Sequence, residues 1–181
     1  MKRVILLAGH NFKDKGCHVN LEGKTINEFD LTTWIVAEIF KKERLINIDL
    51  VAKARNDYKD LVSEINSLNA DILISCHFNA SNGISQGTEV LYAHTSSKGK
   101  RLASVAQDIL VKHLELNNRG IKATKQADRG GSILNKTKPV AILLEPFFLD
   151  SVKSFDELIS LMDKTVDSII QLLEHLEKNE L

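Results

Sequence analysis

The chain has 181 residues, 43% of them hydrophobic and 27% charged, with 24 Lys+Arg against 24 Asp+Glu and a formal net charge of +0. That length fits one domain with a substantial core, and the balanced charge advertises neither nucleic acid nor an anionic membrane surface as a partner. Two cysteines are too few for a disulfide framework, and no apolar run reaches the length of a transmembrane helix.

Lys2–Ala8 reads as a first strand. Its apolar stretch is only about five residues, short of the 7–15 of a secretory leader. Gly9-His10 follows. Asn11–Lys24, polar and carrying Gly16 and Gly23, reads as a loop long enough to be functional or disordered. Thr25 or Asn27 is placed to cap a helix in which Leu31, Trp34, Ile35 and Ile39 recur at three- and four-residue spacing to about Glu43. Glu28 falls in its first turn, where the helix dipole favours a carboxylate. Ile46–Val51 reads as the second strand, and a helix carrying Leu61, Val62, Ile65 and Leu68 begins at Asp57 or Asp60.

The stretch Ala70–Ser81, ADILISCHFNAS, follows. Its continuous rather than alternating hydrophobicity predicts a central strand covered on both faces, ending in His77 with Asn79 and Ser81 close behind. A turn-rich segment leads to a short strand at Thr88–Tyr92. Ser97–Leu114 is a clear helix, with Leu102, Val105, Ala106, Ile109 and Leu110 on one face. Asn117–Lys138 is polar and glycine-containing, and is expected to be a mobile loop with a short edge strand at Ile121–Ala123. Val140–Leu144 is a second continuous apolar run, ending in Glu145-Pro146. Phe155–Leu176 closes the chain as a long helix with Leu158, Ile159, Met162, Val166, Ile169, Ile170 and Leu173 as its buried stripe. Alternating strands and helices, with no internal repeat, argue a layered α/β fold.

Three buried strands thus end in ionisable groups: His10, His77 and Glu145. Such groups at one rim of a sheet cost several kcal/mol unless something compensates. A metal ion resolves this, because zinc takes imidazole nitrogen and carboxylate oxygen at about 2.0–2.2 Å and catalytic sites use three protein ligands plus a water. His10 and His77 are natural ligands. Spacing alone leaves the third ligand and the free carboxylate open among Glu28, Glu22, Glu89 and Glu145, with His94 as the rival imidazole. His18, His113 and His175 are left without a role. A Cys76-His77 thiol dyad is disfavoured because neighbours on a strand point to opposite faces.

The order of motifs resembles the zinc-dependent N-acetylmuramoyl-L-alanine amidases, the family of bacterial cell-wall amidases and many phage endolysins. The matching pieces are LLAGH, Asn27-Glu28, the segment from Arg55 to Leu61, NADILISCHFNAS, GTEVLY, Arg119-Gly120 and AILLEPFFLD, spread over nearly the whole chain. The resemblance implies that His10, Glu28 and His77 hold Zn2+ and that Glu145 is the catalytic carboxylate. It implies an α/β fold with a mixed, mostly parallel six-stranded sheet flanked by helices on both faces, of the phosphorylase/hydrolase-like kind. Residues 1–181 would then be a single catalytic domain without a wall-binding module, monomeric, with peptidoglycan as substrate and Asn79 and Arg119 as contacts to it. With no leader sequence, the expected location is the cytoplasm until release to the cell wall. Ala8 and Asn11-Phe12 depart from the Asp and Gly-Gly that many relatives carry around this first histidine. Glu145-Pro146-Phe147-Phe148 departs from the Glu-x-Gly-Phe form towards the phage branch. Two rival expectations are a zinc carboxypeptidase-like hydrolase of another amide and an inactive peptidoglycan-binding or regulatory module of the same fold.

Overall fold

The structure, a computed structural model, describes residues 1–180. In chain order it comprises β1 (Lys2–Ala8), β2 (His18–Leu21), β3 (Lys24–Asn27), α1 (Glu28–Lys42), β4 (Ile48–Ala54), α2 (Tyr58–Ser67) and β5 (Ile72–Cys76). There follow β6 (Thr88–Ala93), α3 (Ser97–Leu114), β7 (Asn118–Thr124), α4 (Gly131–Lys136), β8 (Val140–Glu145) and α5 (Phe155–Lys178). Six strands form one sheet in the order β4-β1-β5-β8-β6-β7, and β2-β3 is a separate hairpin. Side-chain hydroxyls cap the two longest helices: Ser96 accepts from the Gly99 N–H and Ser154 from the Glu157 N–H. Each such cap stabilises by about 1 kcal/mol.

The apolar runs are continuous because both faces of the sheet are covered. Along β1, Val4, Leu6 and Ala8 join a core with α1, α3 and α5, while Ile5 and Leu7 join a second core with Leu61 and Ile65 of α2 and Ile133 and Leu134 of α4. On β5, Ile72, Ile74 and Cys76 take the first side and Leu73 the second. On β8, Ile142 and Leu144 oppose Ala141 and Leu143 in the same way. A strand alternates its side chains between faces, so two buried faces erase the polar positions.

Strands β4, β1, β5 and β8 are mutually parallel. The carboxyl ends of β1, β5 and β8 therefore lie side by side at one rim, the place where open α/β sheets bind ligands. The backbone there stays paired past the strand ends: the Gly9 N–H donates to Cys76 O and the His77 N–H to Leu144 O, both at 3.0 Å. β6 runs antiparallel to β8, with Glu89 opposite Glu145. β6 therefore starts at that rim and ends at the far one. This takes the exposed His94, which follows β6, away from the other two imidazoles.

Four expectations need correction. The loop expected at Asn11–Lys24 contains most of a hairpin, turned at Glu22 and Gly23 with φ of 49° and 78°. Val19 and Leu21 anchor it in the larger core. The second strand is displaced to Ile48–Ala54 because it pairs with β1 from Lys2↔Ile48 to Ala8↔Ala54, leaving Ile46 82% exposed. The segment expected to be mobile carries β7, longer than the edge strand read there, and α4, whose Ile133 and Leu134 are buried. Ile159 is 58% exposed rather than part of the buried stripe of α5. Among the described residues no helix is long and apolar enough to cross a membrane.

Candidate metal centre

His10 leaves the end of β1 with a positive φ of 63°, a conformation uncommon outside glycine. His77 follows β5 directly. Glu28 arrives from a different direction, as the first residue of α1, delivered there by the hairpin. The loop before the hairpin takes up the first N–H groups of the helix: Glu28 N–H donates to Cys17 O at 2.8 Å and Phe29 N–H to Lys15 O at 3.1 Å. Thr32 Oγ1 donates to Gly9 O at 3.1 Å and ties α1 to the end of β1.

The Glu28 carboxylate is completely buried and is shared evenly between two sets of partners. Oε1 accepts from the Phe78 N–H at 3.0 Å and lies 2.8 Å from His77 Nδ1. Oε2 accepts from the Cys17 N–H at 3.0 Å and lies 3.1 Å from His10 Nε2. The two imidazoles meet edge to face with ring centroids 5.0 Å apart. Burial alone favours the neutral acid at Glu28, but the bonds and charges of His10 and His77 override it and hold the carboxyl far below the usual carboxylate range. At His10 burial is likewise outweighed, by Glu28 and Asp14, and its proton affinity rises. At His77 burial prevails and its proton affinity falls.

This donor set fits a divalent cation. The ligand atoms of His10, Glu28 and His77 all lie within 4.8 Å of one another. Tetrahedral zinc with bonds of about 2.0–2.1 Å puts its ligand atoms about 3.3–3.4 Å apart. The outer nitrogen of His10, Nδ1, is buried without a hydrogen bond and faces Asp14 Oδ2 at 3.3 Å, an ion-pair distance with poor alignment. Asp14 is in turn held by Arg55 Nη2 at 2.7 Å. A carboxylate behind a histidine is the arrangement that fixes the tautomer and orientation of a metal ligand. Burial, followed by the charge of Glu28, pushes the Cys17 thiol upward, and burial pushes Cys76 up to about 12. Both thiols stay protonated, and neither is an activated nucleophile.

Glu145, the last residue of β8, shares a cleft of about 190 Å³ with His10, His77, Arg55, Tyr58 and Arg129. It is buried, and its Oε2 has no hydrogen-bond partner among the described residues. Burial, then repulsion from Glu28, raises its proton affinity well above that of a free carboxylate, against the opposing charge of Arg129. Asn79 and Arg119 meet on a different group, Glu89: Asn79 Nδ2 donates to Glu89 Oε1 at 2.7 Å and Arg119 Nε to Glu89 Oε2 at 2.8 Å. Arg119 also stacks over Phe148, 4.9 Å from the ring centroid. Glu22 is exposed in the hairpin turn, away from the cluster.

Sequence reasoning assigned no role to Asp14, Arg129 or Gly16, and Arg55 entered only as the start of a matching segment. The Arg55–Asp14 pair spans 41 positions and has no local signature. Gly16 left only the hint of a glycine in a polar loop. It has φ +74°, and a Cβ there would touch Glu28 Oε2 and approach His10 Cδ2 to 2.6 Å. Gly16→Ala is therefore expected to weaken metal binding at least tenfold and to destabilise the fold by about 1–3 kcal/mol. Metal titration and urea unfolding check this, and unchanged metal affinity would show the loop yielding freely.

The family model described as N-acetylmuramoyl-L-alanine amidase (Amidase_3) matches residues 4–173. The crystal structure of an N-acetylmuramoyl-L-alanine amidase from Clostridium difficile 630 superposes with a TM-score of 0.80 at 25% identity, covering 99% of this chain and 98% of that one. The catalytic domain of the CD27L endolysin targeting Clostridia difficile gives a TM-score of 0.71 at 26% identity, with coverage of 97% and 98%. The fold is shared too by the CwlD amidase from Clostridioides difficile, solved in complex with the GerS lipoprotein, with a TM-score of 0.75 at 21% identity and coverage of 97% and 98%. No curated protein sequence matches the chain.

Proposed function

The chain belongs to the N-acetylmuramoyl-L-alanine amidase family, and from that premise we propose a zinc-dependent peptidoglycan amidase of the phage-lysin type, with His10, Glu28 and His77 as the zinc ligands and Glu145 as the catalytic carboxylate. The bond attacked is the amide between N-acetylmuramic acid and the L-alanine of the stem peptide. The observation that carries the reading is the meeting of two imidazoles on one buried carboxylate, with Glu145 in the same cleft. Its resemblance to an endolysin catalytic domain supports the lysin role.

Zinc bound there supplies Lewis acidity towards the scissile carbonyl and a lowered pKa for water. The chain supplies the rest. Glu145, kept dry by β8 and its neighbours, accepts a proton from the attacking water. It returns that proton to the amine nitrogen as the C–N bond breaks, a role worth typically 10²–10⁴-fold. Its burial, the first cause of its raised proton affinity in the metal-free chain, suits a group that must hold a proton between the two steps. Asp14 and Arg55 keep the His10 ring turned towards the ion. Arg119, pinned by Glu89 through one nitrogen and 39% exposed, has donors left for substrate passing beyond Glu145, with Asn79 bracing the same carboxylate. A buried, unpartnered Glu145 counts against an inactive binding module, which has no use for a carboxylate that costs stability.

Removing the metal is the direct test. Chelation is expected to abolish the clearing of purified cell walls, and one equivalent of zinc to restore it, with new N-terminal alanine appearing in the digest. A different new terminus would favour the carboxypeptidase-like reading. Because His10 has gained proton affinity, protons compete with the ion there, and the apparent zinc affinity is expected to fall as pH drops below neutrality. Zinc titrations at two pH values check the sign.

A further inference from the structure

The cleft has a basic wall, of which Arg55 so far serves only behind Asp14, while Arg129 has no task. Arg55 is nearly enclosed, its side chain 9% exposed. One of its nitrogens, Nη2, bonds Asp14, its guanidinium lies 5.4 Å from the Tyr58 ring centroid, and its Nε is buried with no partner among the described residues. Arg129 reaches the same cleft from the turn before α4. Among the described residues it makes neither an ion pair nor a hydrogen bond, and its charge bears on Glu145, His77 and Cys17.

The turn that carries Arg129 is built to hold its place. Lys125 N–H donates to Asp128 Oδ2 at 2.7 Å, Asp128 N–H to Lys125 O at 3.1 Å and Gly131 N–H to Asp128 O at 2.9 Å. The chain packs so tightly on itself that a Cβ at Gly131 would strike the Lys125 carbonyl and come within 2.9 Å of Gln126 O. With a divalent ion in place, Glu28, Asp14 and Glu145 do not balance that ion and two guanidiniums. The cleft keeps a positive excess facing the substrate.

We infer that Arg129, backed by Arg55, grips a carboxylate of the substrate's stem peptide, so that the cleft selects stems bearing a free acid over their amides. This rests on the amidase reading. In a muramyl peptide the residue after L-alanine is D-glutamyl joined through its γ-carboxyl, and its α-carboxyl is either free or capped as the carboxamide. A planar guanidinium pairs with such a carboxylate through two parallel N–H donors. A carboxamide offers one acceptor and no charge.

Binding is measured with the zinc-loaded Glu145→Gln protein, which holds substrate without cleaving it, and two N-acetylmuramoyl tripeptides that differ only at the α-carboxyl of the second residue. The acid is expected to bind about tenfold or more tightly than the amide, and adding Arg129→Gln is expected to bring the ratio close to one. Lys125→Gln, on the same turn but outside the cleft lining, is expected to leave the ratio intact. Equal affinities for the two ligands, a ratio unmoved by Arg129→Gln, or equal losses from Lys125→Gln and Arg129→Gln each overturn the inference. So does a loss of kcat in Arg129→Gln with no change in relative binding, which would assign the guanidinium to the transition state. Cleavage of both ligands by the wild-type enzyme without preference sinks the inference and leaves the amidase reading standing. Preferential binding with no cleavage by the wild-type enzyme does the reverse.

Discussion

Glu145→Gln is expected to take up one equivalent of zinc, to hydrolyse muramyl peptides at least 10²-fold more slowly than the wild-type chain, and to melt at a higher temperature. The third result follows from linkage. Burial and the neighbouring Glu28 raise the proton affinity of Glu145 above the ordinary value of 4.5. As pH climbs through 4.5 the unfolded chain therefore releases this proton first, and stability falls until the folded carboxyl ionises as well. The isosteric carboxamide has no such penalty. In the metal-free protein the gain is expected to be present at pH 7 and absent at pH 4 and below. For a chain of this size each kcal/mol amounts to about 2–4 °C in Tm. Calorimetry at the two pH values beside a cleavage assay tests both halves, and a Glu145→Gln protein that still clears cell walls would remove Glu145 from the mechanism.

Glu28→Gln is expected to lose activity just as completely, but with the opposite effect on the fold. Each Glu28 oxygen serves one backbone N–H and one imidazole. A carboxamide puts its NH2 against one of those backbone donors, Phe78 or Cys17, and removes the charge that both histidines face. Breaking a buried pair in this way costs about 3–5 kcal/mol, a large part of the 5–15 kcal/mol that holds most domains together. Zinc binding is expected to vanish with it. The pH dependence is again set by the sign of the shift. The carboxyl of Glu28 is held below its ordinary 4.5, so its contribution is in place above 4.5 and is lost as pH falls through the folded value. The deficit of the variant should therefore be full at pH 7 and shrink in strong acid. Urea titrations and metal analysis separate the two variants, and a Glu28→Gln protein of native stability that still retained zinc would dissolve the cage described above.

His10, His77 and Glu145 were legible because each ends a continuous apolar run, and a run with no polar positions means a strand buried on both faces. That Glu28 completes the set was not legible from spacing. It lies 18 residues from His10 along the chain and reaches the cluster only because the hairpin returns the chain to the sheet rim. Motif order identified Glu28 where local physics left four acids open. The hairpin was hidden because its four-residue strands hold few apolar residues and its turn opens on Glu22 rather than Asn or Asp, the usual signals. Helix α4 was hidden because six residues that themselves open on a glycine, with another before them, have no intrinsic reason to coil. It exists because Ile133 and Leu134 are needed to cover Leu143 and its neighbours. Trp34 and Ile159, both placed on buried stripes by their spacing, border a partly open groove between α1 and α5. Period alone does not tell the centre of a stripe from its margin.

The turn before α4 is held by hydrogen bonds of its own between Lys125, Asp128 and Gly131, and among the described residues it shares none with His10, Glu28 or His77. The cage is welded to strand ends and a helix start, whereas the neighbouring rim hangs from an independent knot of chain. A substitution along that knot can therefore alter the rim without breaking a bond of the cage, and reaches Glu145 and His77 only through the charge of Arg129.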